Sequence, residues 1–222
     1  MGLLVAALLW SAGANAQNKD ASRAAARDLG YSGVESYQAA DYDVAIQKLD
    51  KAYQVLQVPS LGLWSARALI KTNRWVEAAE RLRQVLALEV KGGDAAVQQQ
   101  ALREAKQELD ALTPRLPSLV VDVRAAPSDM QVTVDDDALS PALLLGEAVP
   151  ANPGRHVIVA RASGRELRRE VTLEAGKREA VELVFAAAEG PGAAAANAPD
   201  ADLLTTAARA AQGDASPRLR SD

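Results

Sequence analysis

The sequence predicts a chain of two structural parts, antiparallel helix hairpins followed by a small antiparallel β-sandwich. A repeat is the first observation behind this prediction: Gly33 is matched 33 positions later by Ala66, and Ala45 by Ala78. The second is the period of the apolar residues, which is three to four in the first half of the chain and two in the second half. The third is the series of Gly and Pro residues that divides the second half into short segments, as turns between strands do.

The composition excludes several classes of site. The chain of 222 residues contains no cysteine, so disulfides, thiolate ligands and cysteine nucleophiles are excluded. Its net charge is −4 and no segment is strongly basic, which argues against a nucleic-acid partner. Aromatic residues make up only 4% of the chain, so the cores are expected to consist of small aliphatic side chains.

The N-terminus is predicted to be a cleavable export signal over residues 1–16. Gly2–Trp10 is a short apolar run, and Ala14-Asn15-Ala16 has the small-x-small form of a signal-peptidase site. The run is shorter than the ~20 residues that cross a bilayer, and no such stretch follows it. Because no basic residue precedes the run, a start upstream of Met1 and a buried cytoplasmic helix stay open as alternatives. We expect a periplasmic or secreted mature chain without a lipoprotein cysteine.

Residues 17–115 are predicted to form five helices, of which the first four make two hairpins. Asp41 is expected to cap the second helix and Ser60 the third, and Gly92-Gly93 should end the fourth. The small residues of the 33-residue repeat should lie where the helices of each hairpin cross, because they let the backbones approach to about 8 Å. Replacing any of these small residues with a bulky one should force the hairpin apart.

The fifth predicted helix begins after Asp94 and should cover the open end of the stack. Its apolar side is expected to include Val97, whereas Gln98 should point elsewhere. Two hairpins and one covering helix are fewer than the three or more repeats that such stacks usually need. We therefore expect either that the β part packs on the helices or that the chain associates with itself.

The two hairpins share a residue pattern: a small residue in the first helix, then an aromatic, an alanine and a large apolar residue in the second. The pattern is carried by Gly33, Tyr42, Ala45 and Leu49 and by Ala66, Trp75, Ala78 and Leu82. It resembles the tetratricopeptide repeat (TPR) over about sixty residues, with Trp75-Val76-Glu77-Ala78-Ala79 the best match. The first repeat departs from the pattern at Leu29 and Ser36.

The TPR resemblance implies that residues of the first helix of each hairpin line a protein-binding groove. The candidate protein-binding residues are Val34, Tyr37, Gln38, Arg67 and Lys71. For Leu63 and Ile70, a position in the core is at least as well supported as a position in the groove. A Lys and Asn set that would grip a peptide carboxylate is not matched, since only Arg67 is suited to that role.

Residues 117–186 read as short strands around turns at Asp135–Asp137, Pro150–Gly154 and Ser163-Gly164. The expected strands include His156–Ala162, Leu167–Leu173 and Ala180–Phe185. The block resembles the PEGA domain, a small β-sandwich of bacterial envelope and secreted proteins. The residues that carry this resemblance are Pro127 before Val132-Thr133-Val134-Asp135, then Pro153-Gly154-Arg155-His156, then Ala162-Ser163-Gly164 followed by Val171-Thr172-Leu173 and Gly176.

The search for catalytic and metal-ligating groups yields only weak candidates. His156 is the only histidine, and without a second His or a Cys it has no partner set for a metal site or a triad. Asp135–Asp137 is better read as a solvated turn than as a calcium site. Alternating charges at Glu166, Arg168 and Glu170 are typical of an edge strand protected against aggregation. We expect no cofactor, no metal and no catalytic residue.

Residues 187–222 are rich in Ala, Gly and Pro and are predicted to be a disordered tail. With the two resemblances, the sequence predicts an exported non-enzymatic adaptor of the bacterial cell envelope that binds a protein segment through its helical repeats. The alternative is an envelope glycan-binding module with the repeats as spacer. The glycan alternative is weakened because few exposed aromatic residues are available to stack on sugar rings. Trp64 and Trp75 both lie in the helical part. An enzyme fragment or regulatory subunit is the weakest alternative, because paired catalytic groups are missing.

Overall fold

A computed structural model describes residues 6–90, 93–125, 128–140 and 145–185, with the side chains of 6–16 and of Leu145 left undescribed. The helices and strands belong to one compact unit that ends at Val184. The predicted signal-peptidase site has no described side chains, and the predicted disordered tail lies outside the described residues. The export signal and the tail therefore stay predictions.

Among the residues that the structure describes, five α-helices come first, as the apolar period predicts. They are α1 (Ala6–Gln38), α2 (Tyr42–Val55), α3 (Pro59–Lys71), α4 (Trp75–Leu86) and α5 (Ala95–Leu112), followed by a 3-10 turn at Thr113–Arg115. Three-residue connections join α1 to α2, α2 to α3 and α3 to α4, so each helix turns back and packs on its neighbour. Within the described residues, none of the helices combines the length and the apolar content that crossing a membrane would take.

The small repeat residues lie at the helix crossings, as predicted. Ala45, Ala66 and Ala78 are fully buried in one apolar core, and Gly33 is buried as well. A Cβ atom added to Gly33 would lie 2.7 Å from Leu49 Cγ, which is far inside van der Waals contact. At Gly62, which the repeat pattern does not single out, an added Cβ would overlap Val85 and crowd Tyr53. Close backbone approach therefore depends on more glycines than the repeat indicates.

Three helix-end predictions are wrong. Asp41 occupies the N-cap position of α2, but its side chain makes no capping hydrogen bond. Ser60 lies inside α3, because Pro59 begins that helix with a fixed φ and no N–H to satisfy. The Ser60 N–H instead donates to Gln98 Oε1 at 2.9 Å. α4 ends at Leu86, well before Gly92-Gly93, of which Gly92 lies outside the described residues.

The start of α5 confirms one prediction and corrects another. Asp94 caps the helix, since its carboxylate accepts the N–H groups of Ala96 at 2.8 Å and Val97 at 3.2 Å. However, Val97 is exposed and Gln98 is buried, the reverse of the predicted apolar side. Gln98 turns inward because its amide oxygen binds the first turn of α3. The side of α5 that packs on the other helices therefore carries Gln98, and Val97 lies outside it.

In the described part of the chain, seven strands follow the helices and form two sheets. They are β1 (Ser118–Arg124), β2 (Gln131–Val134), β3 (Asp137–Ala138), β4 (Leu145–Pro150), β5 (Gly154–Ala162), β6 (Arg165–Leu173) and β7 (Arg178–Val184). One sheet has the order β4-β1-β7 and the other β3-β2-β5-β6. β1 and β7 are parallel, which corrects the prediction of a wholly antiparallel arrangement. No tight turn joins these two strands, so their relative direction is not set locally. β3 and β4 are strands that the sequence reading missed.

The edges of the second sheet are short or charged. β2 and β3 are joined by a two-residue turn in which Asp135 and Asp136 have φ of 51° and 74°, values that Asp tolerates better than most residues. At the other edge, β6 exposes Glu166, Arg168 and Glu170, as the alternating charges predict. Arg161 pairs with Glu166 across β5 and β6 at 2.8 Å. Such an edge resists pairing with a strand of another chain.

Candidate binding groove

A groove of about 810 Å³ lies along the N-terminal helices. It is lined by residues of α1 and α3, by the end of α2 with the connection that follows it, and by the start of α5. Three large apolar side chains reach into it from different elements, and each is more than half exposed: Tyr31 at 71%, Val55 at 52% and Val97 at 52%. The groove is therefore lined by apolar surface that no described residue covers.

Trp64 on α3 connects this groove to a second, shallower depression between α3 and α5. Its ring packs edge-to-face against Tyr37 at a centroid distance of 5.2 Å, and Tyr37 packs in the same way on Tyr42 at 5.4 Å. The Arg67 guanidinium lies 4.8 Å from the Trp64 ring centre. These contacts hold the Trp64 ring rigid between the two depressions.

The structure places the five predicted binding residues in different surroundings. Val34 lines the main groove, and Arg67 lines the second depression. Tyr37 is half-buried in the aromatic cluster with Trp64. Gln38 and Lys71 are exposed and lie at the C-terminal ends of α1 and α3. Val34 and Arg67 are therefore close to the exposed apolar surface, while the others are peripheral or engaged in packing.

Arg67 is held by α5. Its Nη2 atom lies 2.7 Å from Glu104 Oε2 and 2.6 Å from Glu108 Oε1. Burial opposes the charge on Arg67, but the hydrogen bonds to Glu108 and Glu104 outweigh it and raise the pKa of the guanidinium. Hydrogen bonds from Gln100 and Arg67 in turn lower the pKa of Glu104. Arg67 therefore joins α3 to α5 and shapes the wall of the depression.

Several groove residues were not predicted as binding residues, among them Arg23, Arg27, Tyr31, Val55 and Val97. Arg23 and Arg27 are exposed on α1, and neither makes an ion pair within the described part of the chain. The available signal was the spacing of four between them, which puts both on one helix face that continues to Tyr31. The exposure of Val55 and Val97 had no such signal, because each belongs to an apolar pattern that resembles a core stripe.

A second polar cluster joins the helices to the sheets at the start of α4. Asn152, between β4 and β5, accepts the Val76 N–H at its Oδ1 atom at 2.8 Å and donates from Nδ2 to Glu77 Oε2 at 3.0 Å. The residue at the N-cap position, Arg74, makes no capping hydrogen bond with its side chain. Asn152 therefore caps α4 from a loop that lies 76 residues further along the chain.

His156 holds that loop in place. Its ring is buried, with Nε2 2.7 Å from the Asn152 carbonyl oxygen and Nδ1 on the carboxylate of Asp135. The other oxygen of Asp135 accepts the Val157 N–H at 2.8 Å. Both ring nitrogens and both oxygens of this carboxylate are thus engaged inside the protein. Among the described residues, no group of three or more His, Asp or Glu side chains is placed to hold a metal ion.

Acid is expected to weaken the contact between Asn152 and Glu77. Burial alone would raise the pKa of Glu77, but hydrogen bonds from Asn152 and Arg74 lower it below the usual 4.5. A carboxylate with a lowered pKa stabilises the folded state above the unfolded pKa, and this contribution is lost as the pH falls through the folded pKa. The Asn152→Ala variant should therefore be less stable than the wild type by about 1 kcal/mol at neutral pH, and the difference should narrow below about pH 4.5.

Urea unfolding of the two proteins between about pH 7 and pH 3.5 measures this difference. Glu77→Gln serves as the control, because glutamine cannot ionise. The difference in unfolding free energy between Glu77→Gln and Asn152→Ala/Glu77→Gln should not depend on pH in that range. A gap between wild type and Asn152→Ala that stays constant or widens in acid would contradict the assignment.

Comparison with known proteins adds no family to these observations. A scan of protein-family models finds no match to the chain, and a search of curated proteins finds none either.

Proposed function

We propose that the chain is an exported, non-enzymatic adaptor of the bacterial cell envelope whose TPR-like helical groove binds a segment of another protein. The observation that carries the proposal is the convergence of exposed apolar side chains. Five large hydrophobic residues are exposed in the described part of the chain, and three of them, Tyr31, Val55 and Val97, line one groove. A cluster of this kind on a soluble surface is typical of a binding site for a protein partner.

The shape of the groove supports a peptide-like ligand. It is partly open to solvent and lined by residues of several helices, and apolar grooves between helices commonly accept extended or helical segments through regularly spaced side chains. The aromatic contacts of Trp64 keep one wall rigid, so little conformational entropy would be lost there on binding. The polar residues Gln98 and Asp94 at the end of the groove have their hydrogen bonds satisfied internally.

We assign the β part to a PEGA-like sandwich that docks on an envelope component. Its two sheets and the charged edge at β6 are what a small, secreted sandwich needs to bury an apolar interior without aggregating. Asn152, which His156 holds in place, joins it to α4, so the two parts would move together when one of them is bound.

Tyr31→Ser/Val97→Ser in the full chain tests the groove. This double variant should lose most of the protein that the wild type captures from an envelope extract, because both side chains are exposed anchors and contribute little to the fold. The matched control is Leu86→Ser/Val184→Ser, which removes two exposed apolar residues outside the groove and should capture the same proteins as the wild type.

Equal capture by both variants would contradict the groove as the binding site. The glycan-binding alternative would be favoured by two results together. The wild type would capture no protein from the extract, and Tyr31→Ser/Val97→Ser would still bind purified cell wall. Mass spectrometry of the chain recovered from the envelope should find Gln17 as the first residue. An intact Met1 would remove export from the proposal.

A further inference from the structure

We propose that the segment bound in the groove is acidic as well as apolar, with two carboxylates placed to meet Arg23 and Arg27. The inference rests on the proposed function, because it specifies the chemistry of the ligand for the same groove. Both arginines line the groove, both are exposed, and neither makes an ion pair within the described residues. Arg67, which lines the second depression, is by contrast paired with Glu104 and Glu108.

The charge of the groove is therefore unbalanced. Asp94 is the acidic residue among the described lining, and its carboxylate is engaged with the N–H groups of Ala96 and Val97. The remaining polar groups of the lining are the neutral amides of three glutamines and the hydroxyls of Ser60 and Tyr31, which favour neither sign. Two free guanidinium groups beside apolar surface attract carboxylates and repel a basic segment, so the groove selects partners by charge as well as by shape.

The spacing of the arginines restricts the ligand further. Arg23 and Arg27 are one helical turn apart on α1, so their side chains begin about 6 Å from each other. Carboxylates at alternate positions of an extended segment are about 6.7 Å apart, and carboxylates one turn apart on a helix match equally well. Apolar residues that follow the acidic pair would then reach Tyr31 on the same helix and Val55 and Val97 across the groove.

A random-peptide display library selected on the full-length chain tests the inference without choosing the ligand in advance. Selected peptides should carry two Asp or Glu residues, at alternate positions or one helical turn apart, beside aromatic or aliphatic residues. A selected peptide should bind Arg23→Glu/Arg27→Glu at least about tenfold more weakly than the wild type, since two ion pairs become repulsive contacts. Its affinity for the wild type should also fall as salt is added, because these contacts are solvent-exposed.

The control variant is Lys51→Glu/Arg178→Glu, which changes the net charge equally at two exposed basic residues that do not line the groove. It should bind the selected peptide within about twofold of the wild type. Circular dichroism of both double variants checks that the helices are intact.

The outcomes separate the inference from the proposed function. Peptides without acidic enrichment that still depend on Tyr31 and Val97 would overturn the inference and leave the groove as a binding site. Selection of no peptide, or of peptides that bind Tyr31→Ser/Val97→Ser as well as the wild type, would overturn both. A wild-type dimer that Tyr31→Ser/Val97→Ser dissociates would assign the groove to a second copy of the chain and would also overturn the inference.

Discussion

Trp75→Ala is expected to lower the free energy of unfolding by about 4 kcal/mol, the largest loss that we predict for a single substitution. Trp75 is the first residue of α4, and only 7% of its surface is exposed. Its indole Nε1 donates to the Ile70 carbonyl oxygen at 3.2 Å, and the Arg115 guanidinium lies 4.7 Å from its ring centre. Truncation would leave a cavity where α3, α4 and the 3-10 turn after α5 meet.

The same position offers an internal control. Trp75→Phe keeps most of the buried volume and removes the indole N–H, while the Ile70 carbonyl oxygen keeps the Asn73 N–H as a partner. This variant should lose only about 1 kcal/mol. Urea unfolding followed by far-ultraviolet circular dichroism measures both variants. Equal losses for Ala and Phe would mean that the hydrogen bond, and not the packing of the ring, is what stabilises this corner.

Gly33→Leu is expected to cost about 3 kcal/mol, at the upper end of the usual range for overpacking a buried position. An added Cβ would lie 2.7 Å from Leu49 Cγ and 3.3 Å from the Leu49 backbone nitrogen. Leu49 is fully buried, so its side chain has no empty space to rotate into, and the tight contact with its backbone nitrogen also requires α2 to move away from α1 by a few tenths of an ångström. The better helix propensity of Leu would recover less than about 1 kcal/mol.

Glu35→Leu is the matched control for Gly33→Leu. Glu35 is on the same helix two residues away and is exposed, so the substitution adds the same side chain without overlap. Its stability should stay within about 0.5 kcal/mol of the wild type in urea unfolding. A Gly33→Leu variant as stable as this control would show that the hairpin does not need close backbone approach at this crossing.

The helices were predictable because the information that forms them is local. Apolar residues at spacings of three and four define one buried stripe for each helix, and the order of helices follows from the short connections between them. Gly33, Ala45, Ala66 and Ala78 could be placed at crossings because only small residues fit there. Asp94 could be predicted as a cap for the same reason, since its bonds reach only two and three residues along the chain.

Predictions failed where a distant partner decides the local structure. Gln98 is buried because its amide binds the Ser60 N–H, a contact across 38 residues. β1 and β7 are parallel neighbours although the other sheet's strands lie between them in sequence. β3 has two residues and pairs through a turn of two aspartates with positive φ, a pattern too short for periodicity to identify. Each of these features depends on which segments meet after folding.

The groove residues show the same contrast between features that the sequence could indicate and features that depend on distant contacts. The TPR resemblance implied Val34 and Arg67, and both line a depression on the helical part. It could not indicate that Glu104 and Glu108 neutralise Arg67, because these acids are 37 and 41 residues away. Nor could it indicate that Arg23 and Arg27 border the same groove as Val55 and Val97, since those residues belong to three different helices.

By itself, the sequence determined that helices precede strands, where the helices cross and that no cysteine chemistry is possible, because composition and short-range periodicity decide these properties. Only the tertiary structure decided which charges are free and which are paired, and which apolar residues are left exposed. Ion pairs and burial depend on side chains that are far apart along the chain and close together in space. Arg67 and Arg27 are both arginines on helices that line the groove, and their different roles follow from the two acids of α5, Glu104 and Glu108, that pair with Arg67.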